Sequence, residues 1–324
     1  MRIVIQGTNW IGDAVISIAA LREVRRVFPE AYIALHTRSW AEGIFLDAEF
    51  LDEISTYEHT GSKLTNWFVR GRKLRRGHFD LAVLFPNSFE SALMMKWAGI
   101  PRRFGYATDA RSSLLTDAVP VPEWKSSRHE VFFFLNLVEQ VEKALRKSGP
   151  SEKSEPKLEL TVSAGRRERA RDILRAAGAD LKKPTIALGV GSTNSRAKRW
   201  PAADFASLTD SLRTQLGANV VLLGSKNEGD VAASVAGLAK QPPIILTGKT
   251  NLEEATAILS EIDLFISNDM GLAHIAPAVG TKTLVIFGPT DPVTTAPFSP
   301  LAHVIREPVE CSPCMLRDCP IDHR

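Results

Sequence analysis

What the sequence has little of narrows the field first. Its 3 cysteines in 324 residues all fall between Cys311 and Cys319, which argues against a disulfide-stapled secreted domain and for a reducing compartment. No run of about 18 apolar residues occurs, so no helix is expected to span a bilayer. The chain opens Met1-Arg2-Ile3-Val4-Ile5-Gln6 and meets Gly7 and Asn9 at once, too short an apolar stretch for the core of a secretory signal. A net charge of +3 is too small to name a partner, and no fixed short period marks a solenoid. What is there is an ordinary globular composition, 44% hydrophobic and 24% charged, in a chain long enough for two domains. The expectation is a soluble cytoplasmic protein.

Strand-like apolar runs alternate with helix-period segments throughout, which predicts an α/β protein built on parallel sheets. Arg2–Gln6 reads as a first strand. Asp13–Phe28 reads as a helix, with Ala14, Ile18, Leu21, Val24 and Phe28 spaced by three or four and Pro29 as its stop. Tyr32–His36 and Leu81–Phe85 read as further strands. The aperiodic polar stretch Lys147–Pro156 reads as a linker. Beyond it the strand pattern restarts at Thr185–Val190, Asn219–Leu223, Ile244–Leu246, Leu264–Ser267 and Thr283–Phe287. Two doubly wound units are expected, 1–156 and 157–324, with ligands taken at the carboxyl ends of the strands in a cleft between the two sheets.

Three strand-to-helix loops carry candidate chemistry. In Gly7-Thr8-Asn9-Trp10-Ile11-Gly12-Asp13 the glycine spacing mimics a phosphate-binding loop, but Asp13 and Ala14 stand where Lys and Ser/Thr are needed, and a carboxylate repels a triphosphate. A dinucleotide fingerprint fails as well: G-x-G-x-x-G is missing, and the second strand ends in His36-Thr37-Arg38 without an acid for a ribose. Asp13 therefore reads either as a helix cap or as a general base, and a helix amino end is expected to lower its pKa. The second loop, Gly189 to Pro201, offers the hydroxyls of Ser192 and Thr193 and the cations Arg196, Lys198 and Arg199, a set suited to a diphosphate or to plain solvent. The third, Asn268-Asp269-Met270-Gly271-Leu272-Ala273-His274, offers a carboxylate for sugar hydroxyls and close backbone access at Gly271, or else another cap beside a packed histidine.

Two further features stand apart. Lys63–Arg76 holds six basic residues, Lys63, Arg70, Arg72, Lys73, Arg75 and Arg76, with no acid, and Leu64, Trp67 and Leu74 supply an apolar side. With Arg102, Arg103, Arg111, Lys125 and Arg128 in the same half, this suits an anionic membrane surface or a phosphorylated, carboxylated acceptor, the alternative being a solvated helix face. Nucleic acid is not expected, because no binding module appears and aromatics do not interleave the charges. The tail Cys311-x2-Cys314-x4-Cys319-x3-His323 could make a tetrahedral metal site, but lies at a terminus without a partner knuckle and reads rather as reduced packing cysteines.

Taken together these loops resemble the ADP-heptose–lipopolysaccharide heptosyltransferases, inverting enzymes of the GT-B architecture with two facing Rossmann-like domains. The resemblance covers nearly the whole chain. It rests on Asn9-Trp10-Ile11-Gly12-Asp13-Ala14-Val15, Pro86-Asn87-Ser88-Phe89 with Ser91-Ala92-Leu93, Ala98-Gly99-Ile100-Pro101, Ala197-Lys198-Arg199-Trp200-Pro201, Asn268 to His274, Phe287-Gly288-Pro289-Thr290 and Cys311-Ser312-Pro313-Cys314. The first and last are most similar to members that add the second heptose of the inner core. The resemblance implies an N-terminal acceptor domain and a C-terminal nucleotide-sugar domain, with Asp13 as general base on the acceptor hydroxyl. It implies that Ser192, Thr193 and Lys198 hold the donor diphosphate, that Asp269, Met270, Gly271 and His274 line its sugar pocket, and that Glu228 meets the ribose. The acceptor, a Kdo-containing lipid A at the inner leaflet, would be met by Asn9, Trp10, Lys63, Arg70, Arg72, Lys73, Arg103 and Arg111. No cofactor is implied, and a monomer is expected. Pro277 departs from the family pattern and predicts a short or kinked helix after His274. The rivals left open are a first-heptose or other sugar transferase and a non-catalytic anionic-lipid module.

Overall fold

A computed structural model describes the chain except for residues 59–62, 147–154, 194 and 322–324, and the side chains of 63–65. Of the expected linker only Glu155 and Pro156 lie within the described residues. The chain divides into two compact units, Met1–Leu158 and Glu159–Arg324.

The first unit holds β1 (Arg2–Gln6), β2 (Tyr32–Arg38), β3 (Glu53–Tyr57), β4 (Leu81–Leu84), β5 (Arg102–Tyr106) and β6 (Asp117–Val119) in one parallel sheet ordered β3-β2-β1-β4-β5-β6. The second holds β7 (Thr185–Gly189), β8 (Asn219–Leu222), β9 (Ile244–Ile245), β10 (Leu264–Asn268), β11 (Lys282–Ile286) and β12 (Ala302–Ile305), ordered β12-β11-β10-β7-β8-β9. Both windings are the same. Each starts at a central strand, adds two on one side, then crosses to add three on the other. The reversal lies between β1 and β4 in one unit and between β7 and β10 in the other. Loops leaving the carboxyl ends of such a strand pair part in opposite directions and open a crevice, which is where open α/β sheets take ligands.

Parallel strands covered on both faces read as unbroken apolar runs. Ile3, Val4 and Ile5 are fully buried, as are Val220, Val221 and Leu222. Val4 packs with Leu74, Met94 and Met95 of the helices Lys63–Arg76 and Phe89–Trp97, and strand alternation sends Ile3 and Ile5 to the other face. The expected helix over Asp13–Phe28 is two helices, Ile11–Ile16 and Ile18–Val27. Between them the Ser17 hydroxyl donates to the Ala14 carbonyl at 2.8 Å, a local bond that competes with helix geometry. Gly7 is required where β1 ends against β2, since a Cβ there would lie 2.7 Å from Thr37 Oγ1. The helix Gly271–Ala278 is short, with Pro277 one residue before its end.

Candidate active site

In the first unit the loops after β1 and β4 flank the winding reversal and enclose a cavity of about 290 Å³. Thr8, Asn9, Trp10 and Asp13 come from one loop and Phe85, Pro86, Asn87 and Ser88 from the other, while Lys125, Glu130, Phe133 and Phe134 complete the wall. Asn9 and Trp10 are exposed, Trp10 at 54%. Trp10 occupies the N-cap of the helix Ile11–Ile16 and no side chain caps it, so Asp13 is in its first turn and is not the cap.

The Asp13 carboxyl is pushed up to about 6, chiefly by burial and then by the nearby Glu130 carboxylate, with Lys125 opposing both. The expectation that the helix start would lower it is thereby overturned. The helix has only 6 residues, and three phenylalanines and a second carboxylate around Asp13 outweigh its dipole. Lys125 is ion-paired to Glu130, which leaves Asp13 without a dedicated cation. A half-buried carboxyl in a pocket, ionised at neutral pH but more basic than usual, is suited to accept a proton. Glu130 carried no sequence signal beyond its place at a helix start.

The basic residues sort differently from expectation. Arg111 is fully buried, and its guanidinium donates to the carbonyls of Tyr106 at 2.9 Å and Pro86 at 2.5 Å, to Ser91 Oγ at 3.1 Å and to Asn87 Oδ1 at 3.2 Å. It shapes the Pro86–Ser88 wall instead of facing an acceptor, and burial holds its pKa down at about 10. Two left-handed residues, Asp109 (φ 50°) and Ala110 (φ 52°), turn the chain so that Asp109 also reaches the loop, accepting from the Phe89 N–H at 2.6 Å. Arg103 is likewise committed to the backbone, donating to the carbonyls of Leu114 at 2.8 Å and Ile100 at 2.5 Å. Arg70 is buried, stacked 3.7 Å over the Tyr57 ring and paired with Glu90 at 3.3 Å. Arg111 and Arg103 thus spend guanidinium donors on backbone carbonyls, and Arg70 spends one on Glu90 while its buried Nε has no partner. Arg72 and Lys73 are exposed on the helix Lys63–Arg76, while the Lys63 side chain lies outside the described part.

In the second unit the loops after β7 and β10 flank the corresponding reversal. Asn268, fully buried at the end of β10, ties them together: its amide donates to the carbonyls of Val190 at 2.9 Å and Gly191 at 3.3 Å, and its oxygen accepts from the Trp200 N–H at 2.9 Å. Lys198 meets Asp269 at 2.6 Å, and the same Asp269 Oδ2 accepts from Thr290 Oγ1 at 2.7 Å. Asp269 thus holds Lys198 in place. Ser192 is buried with its carbonyl taking two bonds from Arg199, at 2.9 and 3.2 Å, whereas Thr193 is exposed. Met270 and Gly271 are half-buried at the junction and His274 is buried.

Glu228 is 2% exposed, follows β8, and is half satisfied. Its Oε2 accepts from Ser225 N at 2.7 Å and Ser225 Oγ at 2.9 Å, but its Oε1 is buried with no partner. Gly191 is required beside it, because a Cβ there would lie 2.3 Å from that carboxylate. The buried Thr247 hydroxyl, also without a partner, borders Gly224 together with Glu228. Buried acceptors left open cost free energy unless a ligand donor fills them, and a ribose hydroxyl is such a donor. Sequence reading did not find Asn268, Thr290 and Thr247 in these roles, since each acts through residues distant in the chain.

The cysteine tail shows no metal geometry: among the described residues no group of three His, Cys, Asp or Glu could hold a metal ion. His323 lies outside those residues. Cys311 is exposed, and Cys314 and Cys319 are half-buried free thiols.

Comparison with known proteins converges on one family. The model of glycosyltransferase family 9 (heptosyltransferase) matches residues 67–324. Lipopolysaccharide heptosyltransferase 2 of Escherichia coli is 28% identical over 314 residues, covering 94% of this chain and 88% of that protein. Lipooligosaccharide heptosyltransferase 2 of Haemophilus ducreyi is also 28% identical, with the same coverage of 94% and 88%. The solved E. coli ADP-heptose lipopolysaccharide heptosyltransferase II superposes with a TM-score of 0.81 at 26% identity, covering 94% of this chain and 90% of that one. A family 9 glycosyl transferase from Veillonella parvula shares the fold, with a TM-score of 0.84 at 21% identity over 94% of this chain and 86% of that one.

Proposed function

The chain belongs to glycosyltransferase family 9, the heptosyltransferases, and from that membership we propose that it moves a heptose from ADP-heptose to a heptosylated, Kdo-containing lipid A with inversion at the anomeric carbon. That it is a glycosyltransferase of lipopolysaccharide core assembly, α/β with two Rossmann-like parallel sheets of GT-B type, follows from the family and its relatives. The ADP-heptose donor and the second-heptose acceptor are read from the heptosyltransferase 2 relatives and the solved E. coli enzyme.

The observation that carries the mechanism is Asp13, its carboxyl raised to about 6 in a pocket at a winding reversal. Asp13 accepts the proton of the acceptor hydroxyl while that oxygen bonds to the anomeric carbon. The bond from that carbon to the ADP oxygen breaks, and the electron pair leaves with ADP. No nucleophile of the protein intervenes, so one displacement inverts the centre. Lys198, steered by Asp269, meets the charge that develops on the diphosphate. The open Oε1 of Glu228 takes a ribose hydroxyl.

The reading places the enzyme at the cytoplasmic face of the inner membrane as a peripheral monomer. No helix among the described residues is long and apolar enough to cross a membrane. Support for surface attachment comes from Phe68 and Val69, 50% and 62% exposed on the same helix as the exposed Arg72, Lys73, Arg75 and Arg76. Apolar side chains beside cations suit an anionic interface. The test is the anomeric configuration of the transferred heptose by NMR after reaction with ADP-heptose: inversion is expected, and retention would overturn the single displacement.

A further inference from the structure

The cysteine-bearing tail is the one sequence motif that the mechanism leaves unused, and its contacts are informative. Residues 311–319 are held by hydrogen bonds against two loops of the second unit. The Arg317 carbonyl accepts from the Ala197 N–H at 2.9 Å and from Ser195 Oγ at 3.0 Å. The Met315 N–H donates to the Pro289 carbonyl at 2.8 Å, and Ser312 Oγ donates to the Gly288 carbonyl at 2.5 Å while accepting from Arg306 at 2.8 Å. These two loops bear on the Lys198–Asp269 couple, the first carrying Lys198 and the second, after β11, carrying Thr290. Ser195 and Ala197 lead directly into Lys198, and Gly288 and Pro289 lead into Thr290, which bonds Asp269. Gly288 also approaches the first loop so closely that a Cβ on it would lie 3.2 Å from the Ala197 carbonyl.

We propose that the segment Cys311–Cys319 is a positioning strap for the donor diphosphate site. It fixes, from outside the pocket, both loops that aim Lys198 and Asp269. The inference rests on the reading of Lys198 as a diphosphate ligand. Three carbonyls, those of Arg317, Pro289 and Gly288, do the work, so the strap acts through its backbone path and through Ser195 and Ser312 and not through its thiols. A cation on a loose lysine loses much of its advantage, because ordering it is charged against binding.

The test uses two variants of the full enzyme: a chain ending at Glu310, and Ser195→Ala combined with Ser312→Ala. ADP affinity by calorimetry and the steady-state constants for both substrates are the readouts. The strap predicts that ADP Kd and donor KM rise about ten-fold or more in the shortened chain and several-fold in the double variant. Acceptor KM should stay within about two-fold, since Asp13 lies in the other unit, while kcat falls along with donor affinity because Lys198 also meets the charge that develops on the diphosphate. Loss of active enzyme by misfolding would instead lower kcat at unchanged KM. If the shortened chain does not fold, by circular dichroism, the double variant decides. Wild-type ADP affinity and donor KM in the double variant, or in a folded shortened chain, would overturn the strap alone. Failure of the unmodified enzyme to bind ADP would instead strike the nucleotide reading of the site.

Discussion

Replacing Asp13 by asparagine separates the two things its surroundings do. The pocket raises this carboxyl from 3.8 to about 6, a shift equivalent to about 3 kcal/mol of preference for the neutral form. The folded chain holds the proton more tightly than the unfolded chain. The stability this group contributes is therefore intact below about pH 4 and lost as pH rises through about 6. Asparagine has no proton to lose. Above about pH 7 the Asp13→Asn protein should thus be the more stable, by about 1 to 3 kcal/mol, the unmet hydrogen-bonding groups of the amide offsetting part of the gain. For a unit of this size that is a rise of about 5 °C in Tm. Below about pH 4 that gain is gone and only the amide's cost remains, so the variant should melt slightly below the parent. The same change removes the proton acceptor, so kcat should fall about 10²- to 10⁴-fold with donor KM nearly unchanged. Calorimetric melts from about pH 4 to about pH 8, with steady-state rates alongside, read both effects. A variant less stable than the parent at about pH 8 would refute the burial argument, and a near-normal kcat would refute the base assignment.

Four other outcomes follow from the same geometry. For the unmodified enzyme, kcat/KM should fall on the acid side with an apparent pKa of about 6, as Asp13 takes up its proton; a flat profile down to about pH 5 would contradict this. Glu228→Gln puts an amide in place of one carboxylate oxygen, of which Oε1 is buried and open, and should weaken ADP binding about ten-fold by calorimetry while sparing acceptor KM. Gly191→Ala would drive a Cβ to 2.3 Å from the same carboxylate and should cost about 2 kcal/mol of stability in denaturant melts, together with ADP affinity. In the proposed mechanism Lys198 meets the departing charge, so EDTA should leave the rate within about two-fold, whereas restoration of a lost rate by a divalent cation would require a metal in the mechanism.

Burial decided what was legible in the sequence. β1 is found to the residue, and β7 and β10 to within one, because parallel strands covered on both faces leave continuous apolar runs. β3, β5, β6 and β12 are not found. Glu53, Arg102, Arg103, Asp117 and His303 interrupt them, and their side chains are only partly covered at or near the sheet edges. The candidate loops stand out because small and acidic residues follow strands: Lys198 and Asp269 meet from the loops after β7 and β10, and Glu228, after β8, is bonded by Ser225. Arg103 and Arg111 read as solvent-facing charges in the sequence, whereas the folded chain gives them carbonyls, from Ile100 and Leu114 for Arg103 and from Tyr106 and Pro86 for Arg111. The pKa of Asp13 is misjudged for the same reason. Its helix is visible locally, but Glu130, Phe133 and Phe134, which reverse the direction of the shift, come from another helix far along the chain.

The proposed reaction is acceptor-dependent transfer from ADP-heptose. Its most direct test is ADP release by the purified enzyme given ADP-heptose and a heptosylated, Kdo-containing lipid A, with the product read by mass spectrometry. ADP release is expected only when that acceptor is present, with a product heavier by one heptose. Turnover on the unheptosylated acceptor alone would contradict the second-heptose assignment, and no turnover on either acceptor would contradict the proposed reaction itself.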